Sequence, residues 1–246
     1  MPLAGPILLC AAMDAELVPV ARSLELSQTG DRYEGQFRDT PVIASTLGVG
    51  AEHATQRLTA LLDDLSPRVV VLIGFAGGLD PFWQAGYSLF PHWLASTTHR
   101  DIIALDAAVP ARLSPDESSA PVDPRRTLLT SSVPVLTVED KAKAAVDYGA
   151  AAVDMESYHL AALAAERDQP MCIIRAISDA AGDNLPVWTM KLVDPAGRSR
   201  VGAAIAGLLI HPWRLGEMLR LRRAAEACTQ SLAVCVEGKL SEWVDE

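Results

Sequence analysis

Acidic side chains end two apolar stretches in the middle of the chain. Glu156 closely follows the run Ala150–Val153, and Asp179 is the last residue of the run Met171–Asp179. The alanine-rich residues Tyr158–Arg167 between these runs favour a helix. In an open α/β sheet, ligands bind just beyond the carboxyl ends of the strands. The two acidic ends therefore predict a ligand site where two neighbouring strands finish.

Asp179 has the sequence surroundings of a proton donor. Desolvation at the end of an apolar strand favours the neutral form of a carboxyl group, which a general acid near pH 7 requires. Arg175 should share the strand face of Asp179 by the two-residue period of a strand. There it would hold the carboxylates in position or form a purely structural ion pair. Alternatively, Ser178 and Asp179 merely cap the next helix.

A third carboxylate, Glu16, follows the first apolar run, Ile7–Ala12. Asp14 is a candidate helix N-cap, and Glu16 would then lie in the first helical turn, where the helix dipole favours a negative charge. On spacing alone, this dipole effect is sufficient to explain Glu16.

The composition limits the classes of function. A length of 246 residues is compatible with one α/β domain or two small ones, and the absence of a linker favours one domain that spans residues 1–246. The residues are 50% hydrophobic and 21% charged, which is sufficient for a large core. The net charge of -10 is opposite to the basic footprint of a nucleic-acid-binding protein. The four cysteines lack zinc-ligand spacing, so no metal site is expected. Residues 1–6 lack the features of a signal peptide, and the chain is expected to be cytoplasmic.

Apolar runs alternate with helical stretches along the chain. This order predicts a single-domain α/β fold whose sheet is covered by helices on both faces. Two helices, separated by Pro212, are expected from about Ser199 to Gly238 as a C-terminal extension. The expected strands include Ile7–Ala12, Tyr33–Phe37, Pro41–Leu47, Arg68–Phe75 and Leu128–Leu136, and Gly48-Val49-Gly50 is expected to be a tight turn before a helix.

Four short motifs, in order along the chain, resemble the purine nucleoside phosphorylase and nucleosidase superfamily. They are Ala-Met-Asp-Ala-Glu at 12–16, Gly-Phe-Ala-Gly-Gly-Leu at 74–79, Asp-Met-Glu-Ser at 154–157 and Arg-Ala-Ile-Ser-Asp at 175–179. Within the superfamily, they are similar to methylthioadenosine/S-adenosylhomocysteine nucleosidase. The resemblance implies a three-layer α/β/α fold around a central mixed, twisted sheet. It also implies hydrolysis of the N-glycosidic bond of an adenosine-type nucleoside, with release of the free base.

The resemblance also implies roles for individual residues. Glu16 would activate water, Asp179 would protonate purine N7, and Glu156 would bind the ribose hydroxyls. Phe75 departs from the pattern, because the nucleosidases carry a serine at that position. The remaining substrate-binding residues implied are Ala76 and Gly77 beside the ribose, Val135 against the purine, Met155 on the sugar, Arg175 and Ser178. Trp188 would line the pocket beside the 5′ substituent or be an ordinary core tryptophan.

Other functions remain open at this point. Phosphorolysis, the alternative to hydrolysis, needs an anion pocket with arginines, which the loops after the first and central strands lack. No cofactor is expected, and phosphate would be needed only by a phosphorylase. The C-terminal segment also resembles the hopanoid-associated phosphorylase branch, thought to act on an adenosyl-lipid, and its basic stretch Leu215–Arg223 could contact a membrane surface. A nucleoside-binding sensor is the non-enzyme alternative. The superfamily implies a homo-oligomer, either dimer or hexamer.

Overall fold

The computed structural model describes residues 5–105, 123–188, 197 and 215–244. Five α-helices lie in these residues: α1 (Asp14–Ser23), α2 (Ala51–Leu65), α3 (Val138–Tyr148), α4 (Ser157–Glu166) and α5 (Leu215–Val244). The strands are β1 (Ile7–Ala11), β2 (Ser27–Thr29), β3 (Arg32–Phe37), β4 (Thr40–Thr46), β5 (Val69–Gly78), β6 (Ser88–Leu89), β7 (Trp93–Ser96), β8 (Ile103–Ala104), β9 (Thr127–Thr130), β10 (Ala152–Asp154) and β11 (Met171–Asp179).

These strands form one mixed sheet, as the sequence predicts. The order of the main path is β2-β3-β4-β1-β5-β10-β9-β7-β8, and β11 pairs with both β5 and β6. The central strand β5 runs parallel to β1 and β11 but antiparallel to β10, which meets only its last two residues. The long β5 therefore joins the two halves of the sheet.

Alternate residues of the central strands point to opposite faces of the sheet, and each face is covered by helices. Leu8, Val70 and Leu72 pack with α2 and α4 in one cluster of buried residues. Ile7, Leu9, Val69 and Val71 pack with α1 and α5 in the other cluster. This arrangement confirms the predicted α/β/α layers, because strands covered on both faces need a nearly continuous apolar sequence.

Several predicted boundaries were wrong. The strand predicted over Leu128–Leu136 ends at Thr130, after which the chain turns. Asp14 was predicted as the N-cap of α1 but is its first residue. The N-cap is Met13, whose backbone N–H donates to the Glu16 side chain. The helix predicted to end at Gly238 continues to Val244, and the predicted break at Pro212 lies outside the described residues.

The long helix α5 packs against the sheet through one apolar stripe. Its buried residues recur every three or four positions, as the helical period requires: Cys228, Leu232, Val236, Leu240 and Trp243. In the basic stretch before this stripe, Arg220 pairs with Asp183 and Arg222 pairs with Glu226. These pairs favour the interpretation of a helix packed on the domain with a solvated face. Among the described helices, none combines the length and apolarity needed to cross a bilayer.

Candidate active site

The acidic ends of β10 and β11 do meet, but not as adjacent strands. β5 lies between them, and β10 runs antiparallel to β5 while β11 runs parallel to it. Because β10 pairs only with Gly77 and Gly78 of β5, the residues that follow β10 are directed back along β5. The prediction that β10 and β11 are neighbouring strands was therefore wrong. The acidic side chains that follow them nevertheless converge on the same strand, β5.

Arg175 is the buried centre of this convergence. Its guanidinium donates from Nη2 to Asp154 Oδ2 at 2.8 Å and from Nη1 to the Ile73 carbonyl at 3.1 Å. Both Nε and Nη2 also donate to Ser157 Oγ, at 3.2 and 2.8 Å. Four of the five guanidinium N–H donors are thus engaged within the protein. Arg175 links β5, β10, α4 and β11 and has little capacity left for an external anion.

The prediction that Arg175 shares a strand face with Asp179 was wrong. A β-bulge interrupts β11 between Ile177 and Asp179, so that Arg175 pairs with Gly74 while Asp179 pairs with Gly77. The extra residue breaks the two-residue alternation on which the prediction depended. Arg175 consequently holds Asp154 and not Asp179.

Two backbone N–H groups hold the carboxylate of Glu16, one at each oxygen. The N–H of Phe75 donates to Oε1 at 2.7 Å, and the N–H of Met13 donates to Oε2 at 2.9 Å. Burial raises the pKa of Glu16 above its ordinary value, and the nearby charge of Arg175 and these two N–H groups partly oppose the rise. The result is a fixed carboxylate with an elevated proton affinity, which suits a general base.

The contact with Phe75 explains how a phenylalanine is accommodated here. The group that holds Glu16 is the backbone N–H of Phe75, while the phenyl ring packs against the cluster of α1 and α5 residues. A side-chain hydroxyl is therefore not required to position Glu16 at this residue.

Glu156 is held by the turn that precedes α2. The N–H of Gly50, at the start of α2, donates to Glu156 Oε1 at 2.8 Å. Gly50 has φ of 90°, a conformation that favours glycine. The Gly48-Val49-Gly50 turn thus binds a carboxylate of the protein itself. Burial, followed by the charge of Asp154, raises the pKa of Glu156 to about 7.

Asp179 has a buried counter-charge that the sequence analysis missed. Lys141 of α3 forms an ion pair with Asp179 Oδ2, and the Lys141 side chain is fully buried. Ser178 Oγ donates to the other oxygen, Oδ1. Both carboxylate oxygens accept hydrogen bonds, whereas burial alone led to the expectation of a neutral carboxyl. A signal was available, because Lys141 lies one helical turn from Ala144 on the buried face of α3.

The three acidic side chains predicted to act together do lie around one strand segment. Glu16 contacts Phe75, and a Cβ built on Gly77 would lie 3.3 Å from Asp179 Oδ2. The charge of Glu16 adds to the rise in the pKa of Glu156. Burial chiefly raises the pKa of the Cys228 thiol, on the α5 side of β11, and the charges of Asp179 and Glu16 add to the rise. Electrostatic effects therefore connect all three carboxylates.

The other predicted residues border the same region in different ways. Ala76 is buried and its carbonyl accepts from Ser178 Oγ at 3.3 Å, while Met155 is half-buried between Asp154 and Glu156. Val135 packs partly buried against a third apolar cluster. Its neighbour Leu136 accepts a hydrogen bond from the N–H of Leu185 at 2.8 Å, which brings this segment to the loop after β11. Trp188 is half-buried in the last described part of that loop.

Among the residues that the structure describes, no group of three or more potential ligands could hold a metal ion. The four cysteines are free thiols. The chemistry available here is that of carboxylates held by cations and backbone N–H groups.

The mixed α/β/α fold, with carboxylates around the end of its central strand, is that of a nucleoside phosphorylase-like protein. A family model described as the phosphorylase superfamily matches residues 6–210, and the chain belongs to this superfamily.

Several known proteins are similar to this chain. A 5′-methylthioadenosine/S-adenosylhomocysteine nucleosidase from Oceanobacillus iheyensis is 23% identical over 210 residues, which cover 76% of this chain and 92% of that protein. The solved structure of the Neisseria meningitidis nucleosidase of the same name, in complex with methylthio-immucillin-A, has a TM-score of 0.63, 17% identity and coverage of 96% and 100%. The Helicobacter pylori futalosine hydrolase has a TM-score of 0.57 and 17% identity, covering 72% of this chain and 88% of its own. At these identities the structural likeness shows the fold.

Proposed function

We propose that this protein hydrolyses the N-glycosidic bond of an adenosine-type purine nucleoside and releases the free base. The observation that supports this most directly is the placement of Glu16, Glu156 and Asp179 around the end of β5 in a member of the phosphorylase superfamily. Gly74 and Gly77, beside Glu16 and Asp179, are separated by about 10 Å along an extended strand. Glu16 and Asp179 therefore lie beside positions only three residues apart on β5.

The geometry divides the reaction among the three carboxylates. As the bond between C1′ and N9 breaks, its electron pair moves to the purine and positive charge develops on the sugar. Asp179 would supply a proton to N7, and Glu156 would accept hydrogen bonds from the ribose hydroxyls while its charge stabilises the cationic sugar. Glu16 would take a proton from the water whose oxygen bonds to C1′.

Water is favoured over phosphate as the nucleophile because the cation nearest Glu16 is already engaged. Arg175 uses four N–H donors on Asp154, Ser157 and Ile73. Arg57 of α2 forms an ion pair with Asp31 and donates to Ser45 Oγ. A phosphate dianion would therefore lack an arginine partner within the described site.

The relatives indicate which nucleosides to test. Methylthioadenosine, S-adenosylhomocysteine and futalosine are the compounds in the names of similar proteins. Incubation of the purified protein with each, in buffer with and without phosphate, should release adenine from a 5′-substituted adenosine at the same rate in both buffers. Strict phosphate dependence would establish phosphorolysis instead, and nucleoside binding without base release would favour the sensor alternative.

An adenosyl-lipid is the second candidate substrate. Incubation with adenosyl-hopane and methylthioadenosine at equal concentrations separates the two substrates. The paired arginines of α5 favour the small nucleoside, because Arg220 and Arg222 already have acidic partners in the protein. A preference for the lipid-linked compound would reverse this choice.

We further propose that the enzyme is a cytoplasmic homo-oligomer, dimer or hexamer, that needs no cofactor. The four free thiols support a reducing compartment. Light scattering of the purified protein measures the oligomeric state, and activity after exhaustive chelation tests for a metal requirement.

A further inference from the structure

Lys141 is a buried charged residue that the three-carboxylate mechanism does not use. Its Nζ donates to three acceptors: Asp179 Oδ2, the Ala180 carbonyl at 2.8 Å and the Asp183 carbonyl at 2.8 Å. A lysine ammonium has three N–H donors and no acceptor, so these contacts match the charged form in full. A neutral amine would leave one of the three acceptors without a donor.

The contacts of Asp179 are those of an ionised partner. Oδ2 accepts from Lys141 and Oδ1 accepts from Ser178, so neither oxygen is placed as a donor toward a protein acceptor. The pair is enclosed, since Lys141 is 0% and Asp179 is 3% exposed. In such surroundings the interaction of the two charges is weakly screened and fixes the carboxylate strongly.

The same ammonium organises the loop that follows β11. Asp183, whose carbonyl accepts from Lys141, also accepts from the Ala180 N–H through Oδ2 at 3.1 Å and from Arg220 Nη1 through Oδ1 at 3.2 Å. The start of α3 is joined to this loop a second time, because the Val138 N–H donates to Asn184 Oδ1 at 2.8 Å. Lys141 therefore lies where α3, the end of β11 and the loop meet.

We propose that Lys141 is a positioning residue that aims the Asp179 carboxyl group at the purine. This inference rests on the proposed function, in which Asp179 passes a proton to the base. The ion pair, together with the two loop carbonyls that accept from the same ammonium, fixes the direction of the Asp179 side chain. Lys141 acts only through Asp179 and the loop.

Other charged and titratable groups also face the corner where α3, the end of β11 and the following loop meet. They are Glu16 from α1, Cys228 from α5, and Asp183 with its partner Arg220. Of the charged groups that the structure describes in this corner, it is Lys141 that forms the direct ion pair with Asp179. Removing the Lys141 side chain should therefore release the Asp179 carboxyl group from its fixed position.

The test compares kcat and KM of Lys141→Met and Lys141→Gln with those of wild type. Loss of the ion pair should lower kcat about 10- to 100-fold and leave KM within about twofold, because a misdirected acid slows proton transfer but does not weaken nucleoside binding. The glutamine variant keeps a donor for the loop carbonyls, so a loss of kcat in both variants identifies the ion pair as the cause. Lys143→Met is the matched control, because Lys143 is exposed on the same helix. A wild-type kcat, or a rise in KM that accounts for the whole loss of kcat/KM, would overturn the proposal.

A double variant covers the case in which a single variant does not fold. Asp179→Asn combined with Lys141→Met leaves no unpaired charge in the corner, and its residual turnover should equal that of Asp179→Asn alone. A further loss of more than threefold in the double variant would show that Lys141 acts independently of Asp179 and would overturn the inference.

A crystal structure of Lys141→Met separates this inference from the proposed function. In the variant, the Asp179 carboxyl group should leave its position beside Gly77. Absence of base release by wild type would reject the nucleosidase proposal, whereas an unmoved Asp179 side chain in Lys141→Met would reject the role of Lys141.

Discussion

The guanidinium of Arg175 lies 2.8 Å from Asp154 Oδ2, and both side chains are almost completely buried. Asp154 is itself fixed by Thr130 Oγ1, which donates to Oδ1 at 2.7 Å, and by the Ser157 N–H at 3.2 Å. The same Thr130 hydroxyl accepts from the Tyr158 N–H. This network sets the direction of the chain between β10 and α4, and hence the position of Glu156.

We expect Arg175→Lys to lower the free energy of unfolding by about 3 kcal/mol, because an ammonium cannot reproduce the guanidinium contacts and leaves Asp154 poorly paired. Urea denaturation measures the change. Arg167→Lys is the control, since its ion pair with Asp63 is exposed and should contribute less than about 1 kcal/mol. Equal losses in the two variants would contradict the assignment of Arg175 as the buried centre of the site.

Gly74 is required because its missing side chain leaves space for two functional groups. A Cβ at this position would overlap Arg175 Nη1 and would lie 3.0 Å from Glu16 Oε1. Gly74→Ala should therefore displace Arg175 and reduce kcat at least tenfold, with a loss of about 1 to 3 kcal/mol in stability. Gly182→Ala is the control, because a Cβ there meets no atom within 4 Å. Wild-type turnover in Gly74→Ala would show that Arg175 can move without consequence.

The layers of the fold could be predicted from sequence because they depend on local patterns. Residues 7–11 and 69–73 are uninterrupted apolar runs, as strands covered on both faces require. The predicted strand Leu128–Leu136 was too long because Val133 and Val135 have strand-forming side chains. Their segment is instead positioned by hydrogen bonds to distant residues, such as that between Leu136 and Leu185.

The candidate site was predictable in its acidic residues but not in their partners. Glu16, Glu156 and Asp179 stand at motif positions that the sequence displays. The partners of these residues are set by tertiary contacts: Gly50 is 106 residues from Glu156, and Lys141 is 38 residues from Asp179. The bulge at Ser178 also has no clear sequence signal, and it separates Arg175 from the acid that it was expected to hold.

Glu16 combines helix capping with its proposed role as the base, and a matched variant separates the two. Glu16→Gln should reduce turnover by about 10² to 10⁴-fold while nucleoside binding is retained, because an amide cannot accept the proton of water. Asp140 occupies the corresponding third position of α3 and lies away from the site, so Asp140→Asn should leave turnover unchanged and change stability by less than about 1 kcal/mol. Initial rates and equilibrium dialysis with nucleoside measure these effects. Loss of binding in Glu16→Gln would indicate a structural role instead.

Glu156 should make the activity depend on pH near neutrality. Its pKa is raised from about 4.5 to about 7, chiefly by burial and next by the charge of Asp154. The ribose hydroxyls donate best to an ionised carboxylate, so kcat/KM should fall about tenfold for each pH unit below about 7. Glu166→Gln, at the exposed end of the same helix, should keep this profile. An unchanged acidic limb in Glu156→Gln would assign the titration to another group.

The same shift has an opposite consequence for stability. Because the folded protein binds the proton of Glu156 more tightly than the unfolded chain, the stabilisation is complete below about pH 4.5 and is lost as pH rises through about 7. The loss is on the order of 3 kcal/mol, since each pKa unit corresponds to about 1.4 kcal/mol. Glu16, whose pKa is also raised, contributes in the same direction.

Glu156→Gln should therefore unfold at a higher temperature than wild type at pH 8 but not at pH 4.5, while its turnover is lost. Thermal unfolding at both pH values measures this difference in stability, with Glu166→Gln as the control. If Glu156→Gln had the same melting temperature as wild type at pH 8, burial of the Glu156 charge would not destabilise the protein.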